Sequence, residues 1–129
     1  MLYVASKLQN SERAQEVIAK FRKLGVTITY DWTTHNQVFS DADLRRIGEL
    51  EAQGVKDAKV VFLLLPGGGG AHWEAGMAYA LNKPVVVLNH STAEQKSFYH
   101  IDGVHLHSAE DAAIAKTIQL LEELECQPS

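Results

Sequence analysis

Short apolar runs alternate along this chain with longer segments whose apolar residues recur at helical spacing. Residues 2–5 form an apolar run of strand length, followed by a polar loop over 6–11. Ser11 reads as an N-cap, with Glu12 in the first turn. Apolar side chains then recur at Ala14, Val17, Ile18, Phe21 and Leu24, one face of a helix that Gly25 closes. Residues 26–30 alternate and are rich in β-branched types, which predicts a second strand. A polar loop over 31–39 carries Asp31, Trp32 and His35. Ser40 then predicts the cap of a second helix, with Asp41 and Asp43 where the helix dipole favours acids. That helix runs to Ala52 or, past an irregularity at Gly54, to Ala58.

Residues 60–65 are continuously apolar, the pattern of a strand buried on both faces. Pro66 and four glycines follow, then a third helix over 71–81, a fourth strand over 84–88 and a longer loop over 89–102. A fifth strand over 104–107 and an amphipathic helix over 108–125 complete the pattern. This alternation predicts an α/β fold, a parallel sheet covered by helices on both faces, as one domain over 1–129. Ligands of such sheets sit beyond the C-terminal strand ends, at the switch point of the topology. The loops over 6–11, 31–35, 66–70 and 89–91 are therefore the places to look.

Composition narrows the function. With 129 residues the chain supports a single core, and 46% hydrophobic with 22% charged residues is an ordinary globular balance. A net charge of −4 argues against a surface for a nucleic-acid polymer but leaves room for one small anionic ligand in a local pocket. The single cysteine, Cys126, has no partner for an internal disulfide. No basic leader precedes the first strand, and the longest apolar run is too short to span a bilayer. These features predict a cytoplasmic protein with no membrane partner.

The richest segment for chemistry is Leu65-Pro66-Gly67-Gly68-Gly69-Gly70-Ala71-His72-Trp73-Glu74-Ala75-Gly76. Glycines between a buried strand and a helix let backbone approach a ligand, and a helix N-terminus offers free N–H groups to an anion. No Gly-Lys-Ser/Thr follows, so it is not a P-loop, and it lacks the spaced dinucleotide fingerprint. Glu74 is expected in the first turn of a helix written in small and apolar residues. There the dipole would keep its carboxylate ionised, as a nucleophile requires. An ordinary first-turn acid is the plainer reading.

The pattern Glu74-x-Gly76-x-Ala78-x-Ala80-x-x-Lys83-Pro84, after a strand and a glycine-rich turn, resembles the nucleoside 2-deoxyribosyltransferase family. That family includes relatives that hydrolyse 2-deoxynucleoside 5′-monophosphates. Tyr3-Val4-Ala5-Ser6 and Gly54-Val55-x-x-Ala58 agree with it, and the likeness covers roughly residues 1 to 90. The expected architecture is a flavodoxin/Rossmann-like three-layer sandwich of about five parallel strands, ordered 2-1-3-4-5, with helices on both faces. The resemblance implies that Glu74 is the nucleophile that attacks the sugar C1′, that Tyr3 orients it, and that Glu51 assists proton transfer to the departing base. It implies a 5′-phosphate site drawn from Ser6, Lys7, Asn10, Ser11 and Arg13, no cofactor, and a homo-oligomer whose subunits complete one another's sites. Departures are plain: Lys59 stands where many members carry an aspartate, and Gly67 to Gly70 include no acidic residue to read the base. The turn is also similar to the Pro-Gly-Gly-x-Gly-Thr-x-x-Glu motif of the cytokinin-activating phosphoribohydrolases, with Ala71 in place of the threonine.

Two carboxylates in different environments would divide the labour of glycosidic cleavage, one ionised and one with a raised pKa. Asp31 and Trp32 are further candidates for the substrate, Trp32 as a stacking surface or simply as a packing residue. His72 and Trp73 flank Glu74 in the chain and could line its pocket, His72 meeting a phosphate or a sugar hydroxyl. His105 and His107 share a strand face with no acidic or cysteine ligand at a metal-site spacing, so no metal is expected. A non-catalytic nucleotide sensor and a scaffold domain are the competing functions.

Overall fold

Four strands, three of them buried along their whole length, pair in parallel into one sheet in the computed structural model, which describes residues 1–34, 40–91 and 95–126. They are β1 (Leu2–Ala5), β2 (Val60–Leu64), β3 (Val85–Leu88) and β4 (Val104–His107), in that spatial order. The expected second strand over 26–30 is reduced to a single bridge, Leu2 to Ile28. The Leu2 amide donates to Thr27 O and the Thr29 amide to Leu2 O, both at 2.9 Å. The Thr29 hydroxyl then turns away to Gly54 O at 2.7 Å, and the segment leaves the edge. The neighbour order is as the pattern predicts, but with four strands and a bridge in place of five strands.

The helices are α1 (Ser11–Lys23), α2 (Asp41–Asp57), α3 (Gly69–Ala80) and α4 (Glu110–Glu125). Ser11 is not the cap of α1. A 3-10 turn over Leu8–Asn10 runs straight into the helix, so Asn10 holds the cap position and its amide goes to Ser6 Oγ at 2.9 Å. Gly25, at φ +83°, does end α1: its N–H reaches Arg22 O and that of Val26 reaches Phe21 O, each at 3.0 Å. Ser40 caps α2 as expected, accepting from the Asp43 amide at 3.1 Å. The α3 helix starts at Gly69, two residues before the predicted start, and ends on Asn82 at φ +60°. There the Asn82 amide donates to Tyr79 O at 3.0 Å and Lys83 N–H to Ala78 O at 2.9 Å.

Strand alternation assigns the layers. Phe62 of β2 meets Phe21 of α1 edge-on, with ring centroids 5.3 Å apart, and α4 joins α1 on that face through Glu110, which pairs with Arg13 and Lys20. Burial works against the charge of Glu110, but these two cations outweigh it and hold its carboxyl below the usual range. Tyr3 of β1 points to the opposite face, against α2 and α3. Among the described residues no helix is long and apolar enough to cross a membrane.

The left-handed residue at the end of α3 gives a stability prediction. Asn82→Ala forces a Cβ branch without a compensating side-chain amide into φ > 0 and costs about 1 kcal/mol, whereas Asn82→Gly is neutral or better. Urea denaturation of both variants checks the contrast.

Candidate active site

The site is built around one buried hydroxyl. Tyr3 is fully buried in β1, and its side chain crosses from the sheet into the seam between α2 and α3. Its hydroxyl lies 2.6 Å from Glu74 Oε2 and 3.3 Å from Glu51 Oε2. One proton serves the shorter bond, so Tyr3 donates to Glu74 while its oxygen remains within reach of Glu51. The structure thus brings Tyr3, Glu51 and Glu74 together from β1, α2 and α3. A cavity of about 290 Å³ opens over the two carboxylates, lined also by Gly48, Gly69, Gly70, Trp73 and Met77.

Gly54 allows this meeting. A Cβ on Gly54 would stand 2.9 Å from Tyr30 Cβ and 3.0 Å from the Tyr3 ring, so only a glycine lets α2 lie this close to β1. Glu51 sits one turn earlier on the same helix face and inherits that approach. Behind it, Lys83 Nζ donates to Lys56 O at 2.6 Å and to Ala58 O, closing the C-terminal end of α2 with a cation. The irregularity suspected at Gly54 is a packing contact, legible only once Tyr3 and Tyr30 are placed.

The electrostatics overturn one expectation. Glu74 is 8% exposed, and its pKa is pushed up to about 8, first by burial and then by the neighbouring Glu51 carboxylate, against the lowering effect of the Tyr3 hydrogen bond. The helix dipole does not keep it ionised. Because α3 begins at Gly69, Glu74 lies in the second turn, where the dipole has faded, and even at a helix start it contributes only ~0.3–1 kcal/mol. Burial together with a second carboxylate outweighs that. The pair therefore retains a proton at neutral pH, and burial beside both acids keeps the Tyr3 hydroxyl protonated.

The other sequence candidates divide. Gly69 and Gly70 line the cavity, and a Cβ at Gly68 would stand 3.4 Å from Lys7 Cβ, so Lys7 flanks the turn. Gly67 is tightly packed, because a Cβ there would meet His72, Leu63 and Ala71 at 3.2–3.3 Å. Ser6 is a fastener: its Oγ donates to Leu64 O at 2.8 Å and accepts from Asn10. Asn10 and Arg13 line a separate, more polar hollow with Pro66, Asn89 and Lys96. His72 does not face the carboxylates. Its Nδ1 donates to Gly68 O at 2.9 Å, and its Nε2 is 2.7 Å from the Tyr99 hydroxyl, so both ring nitrogens are engaged.

Asp31 accepts from the Thr33 amide at 3.0 Å and from the Thr33 hydroxyl, and it pairs with Arg22, which makes it a turn-former. Trp32 is 6% exposed and its Nε1 donates to Val4 O at 2.7 Å, so the stacking expected of it has no open ring face to use. Trp73, the other flank of Glu74, is 76% exposed at the cavity mouth. Sequence reasoning missed Gly48 and Met77 altogether. Their only signal was spacing, one turn from Glu51 or Glu74 on their helices. His35 lies outside the described residues, and among the described residues no group of three or more His, Cys, Asp or Glu gathers as a metal site would need.

The family model described as nucleoside 2-deoxyribosyltransferase matches residues 2–123. The fold is similar to that of the CMP N-glycosidase BcmB of Clostridium botulinum, with a TM-score of 0.62 and 17% identity over 91% of this chain and 97% of that one. No curated protein matches the sequence.

Two outcomes follow from the site. A folded-state pKa raised above the unfolded value adds stability that is full below the unfolded pKa and is lost as pH rises through the folded one. Glu74→Gln, which keeps an acceptor for Tyr3, should therefore gain on the native protein between pH 5 and pH 9, reaching on the order of a few kcal/mol in urea unfolding. Gly54→Ala should cost about 1–3 kcal/mol by overpacking against Tyr30 and Tyr3, and by moving Glu51 away should shrink that pH-dependent difference.

Proposed function

Because the chain belongs to the nucleoside 2-deoxyribosyltransferase family, we propose that it cleaves the N-glycosidic bond of a nucleoside 5′-monophosphate or 2′-deoxynucleoside through a covalent glycosyl–Glu74 intermediate. The observation that carries this reading is the shared hydroxyl: Tyr3 binds Glu74 at 2.6 Å and touches Glu51, with a cavity open above both carboxylates. The structurally similar BcmB is a CMP N-glycosidase, which makes CMP and its deoxy counterpart the first substrates to try.

In this mechanism the pair enters with one proton. The form with Glu51 protonated and Glu74 ionised is the reactive one, and the Tyr3 hydroxyl, within reach of both, lets the proton change sides. Glu74 attacks C1′ as the C1′–N bond breaks, the bonding electrons leave with the base, and Glu51 gives that nitrogen its proton. The Glu51 carboxylate then takes a proton from water, whose oxygen attacks C1′ and releases Glu74 as a carboxylate. Hydrolysis needs only water, whereas transfer would need a second base in the same place. The turn offers no acidic side chain to hold one, and this favours the hydrolase. A 5′-phosphate belongs beside Lys7, which flanks the turn at Gly68 ahead of α3.

Release of free base from CMP, dCMP and the other mononucleotides, followed by chromatography, tests the reading. Glu74→Gln should lower the rate at least 1,000-fold without loss of fold, and Tyr3→Phe should lower it by about 10- to 100-fold, in the range of one lost charge-assisted hydrogen bond. The profile of kcat/KM against pH should fall on its alkaline side near pH 8, as the last shared proton leaves. Nucleotide binding without any base release from wild-type protein would leave a sensor in its place.

A further inference from the structure

Hollows open at several places on the described part of the molecule, one of them at the α1–α4 end. In the polar one beside Asn10 the cation Arg13 is already paired with Glu16 and Glu110, and the apolar one behind α3 is walled by the His72–Tyr99 pair. Another lies over Glu74, and its walls hold features that the fold does not account for. Trp73 is 76% exposed there, and among the described residues its indole N–H has no hydrogen-bond partner. Leaving so large an aromatic surface in water forgoes most of what its burial would contribute.

Three glycines line the same cavity: Gly48 on α2, and Gly69 and Gly70 at the start of α3. A Cβ at any of them would meet nothing within 4 Å, and none adopts a positive φ. Gly54 and Gly67 are closely packed, Gly25 and Gly103 sit at positive φ, and Gly76, equally open, lines the apolar hollow instead. The fold has no such use for Gly48, Gly69 and Gly70. What they share is bare backbone lining the same cavity as an exposed tryptophan, near the lower end of the volume range typical of small-ligand sites. Among the described residues the lining's polar groups are Glu51, Glu74 and the Trp73 indole N–H, and the proposed reaction uses both carboxylates.

We propose that Trp73, one turn along α3 from the bare backbone of Gly69 and Gly70 and sharing the cavity with Gly48 of α2, is the platform on which the nucleobase of the substrate stacks. This rests on the glycosidic reading above and adds to it a recognition mode. With both carboxylates engaged in the reaction, the site holds a base chiefly by its π-face, which every base presents. The substrate class is then a set of nucleotides differing in base, ranked by stacking area, with purines no worse than pyrimidines. A second copy of this chain is the other occupant that an exposed tryptophan could serve, and the two are separable.

The experiment uses Trp73→Leu, which keeps an apolar side chain, with the emission of buried Trp32 as the check on folding. Steady-state base release is measured on CMP, dCMP, AMP and dAMP. Trp73 emission is titrated in the Glu74→Gln protein with the same nucleotides and with 2-deoxyribose 5-phosphate, which lacks a base. The expected result is quenching by every nucleotide and not by the sugar phosphate. In Trp73→Leu, kcat/KM should fall by roughly 10- to 100-fold for all bases, carried mostly by KM. Base release with unchanged KM in Trp73→Leu overturns the stacking role and leaves the glycosidase standing. Emission that responds to protein dilution and not to nucleotide assigns Trp73 to a contact between copies and likewise overturns it. No base release and no nucleotide response from any protein removes the glycosidic reading and this inference together.

Discussion

Two carboxylates competing for one buried hydroxyl form the constraint around which the rest of this structure is arranged. Neither acid is comfortable there: Glu74 is nearly enclosed, Glu51 is close enough to oppose its ionisation, and the tyrosine supplies a single proton to the shorter of two contacts. Without Tyr3 the pair would be two acids with nothing to hold them in register. With it the two carboxylates are held on one point, while burial and their mutual repulsion, working against the Tyr3 hydrogen bond, keep a proton on the pair at neutral pH.

Holding three side chains from β1, α2 and α3 on one point requires close approach, and that is where small residues enter. Gly54 removes the one Cβ that would keep α2 off Tyr3 and Tyr30, and Lys83 closes the end of the same helix from the far side of α3. The glycine turn after β2 has two parts with different duties. Gly67 is tightly packed and secures the turn, together with the Ser6 bonds to Leu64 and Pro66. Gly69 and Gly70 are open and border the cavity.

The two tryptophans show how local sequence misleads about a site. Trp32 sits in a polar loop after an expected strand, where a ligand-stacking aromatic would be looked for, and it is buried with its N–H on Val4 O. Trp73 lies on a helix among alanines and glycines and stands in the open at the cavity mouth. The histidine beside it, chosen for its chemistry, has both ring nitrogens engaged by Gly68 and Tyr99. Residue type nominated all three, but only orientation separated them.

Helices, all four strands to within a residue, and the acidic residue in α3 were decided by the sequence alone, because each depends on spacing within one turn or one run of residues. The family pattern around Glu74 is local in the same sense, and it nominated Tyr3 and Glu51 as its companions. Tertiary structure decided what depends on neighbours far along the chain. The segment over 26–30 paired only at Ile28, since its edge position and the Thr29 bond to Gly54 O pull it off the sheet. The proton on the carboxylate pair was likewise beyond local reading. Desolvation and like-charge repulsion add up over groups from three separate elements, and no window of sequence contains that sum.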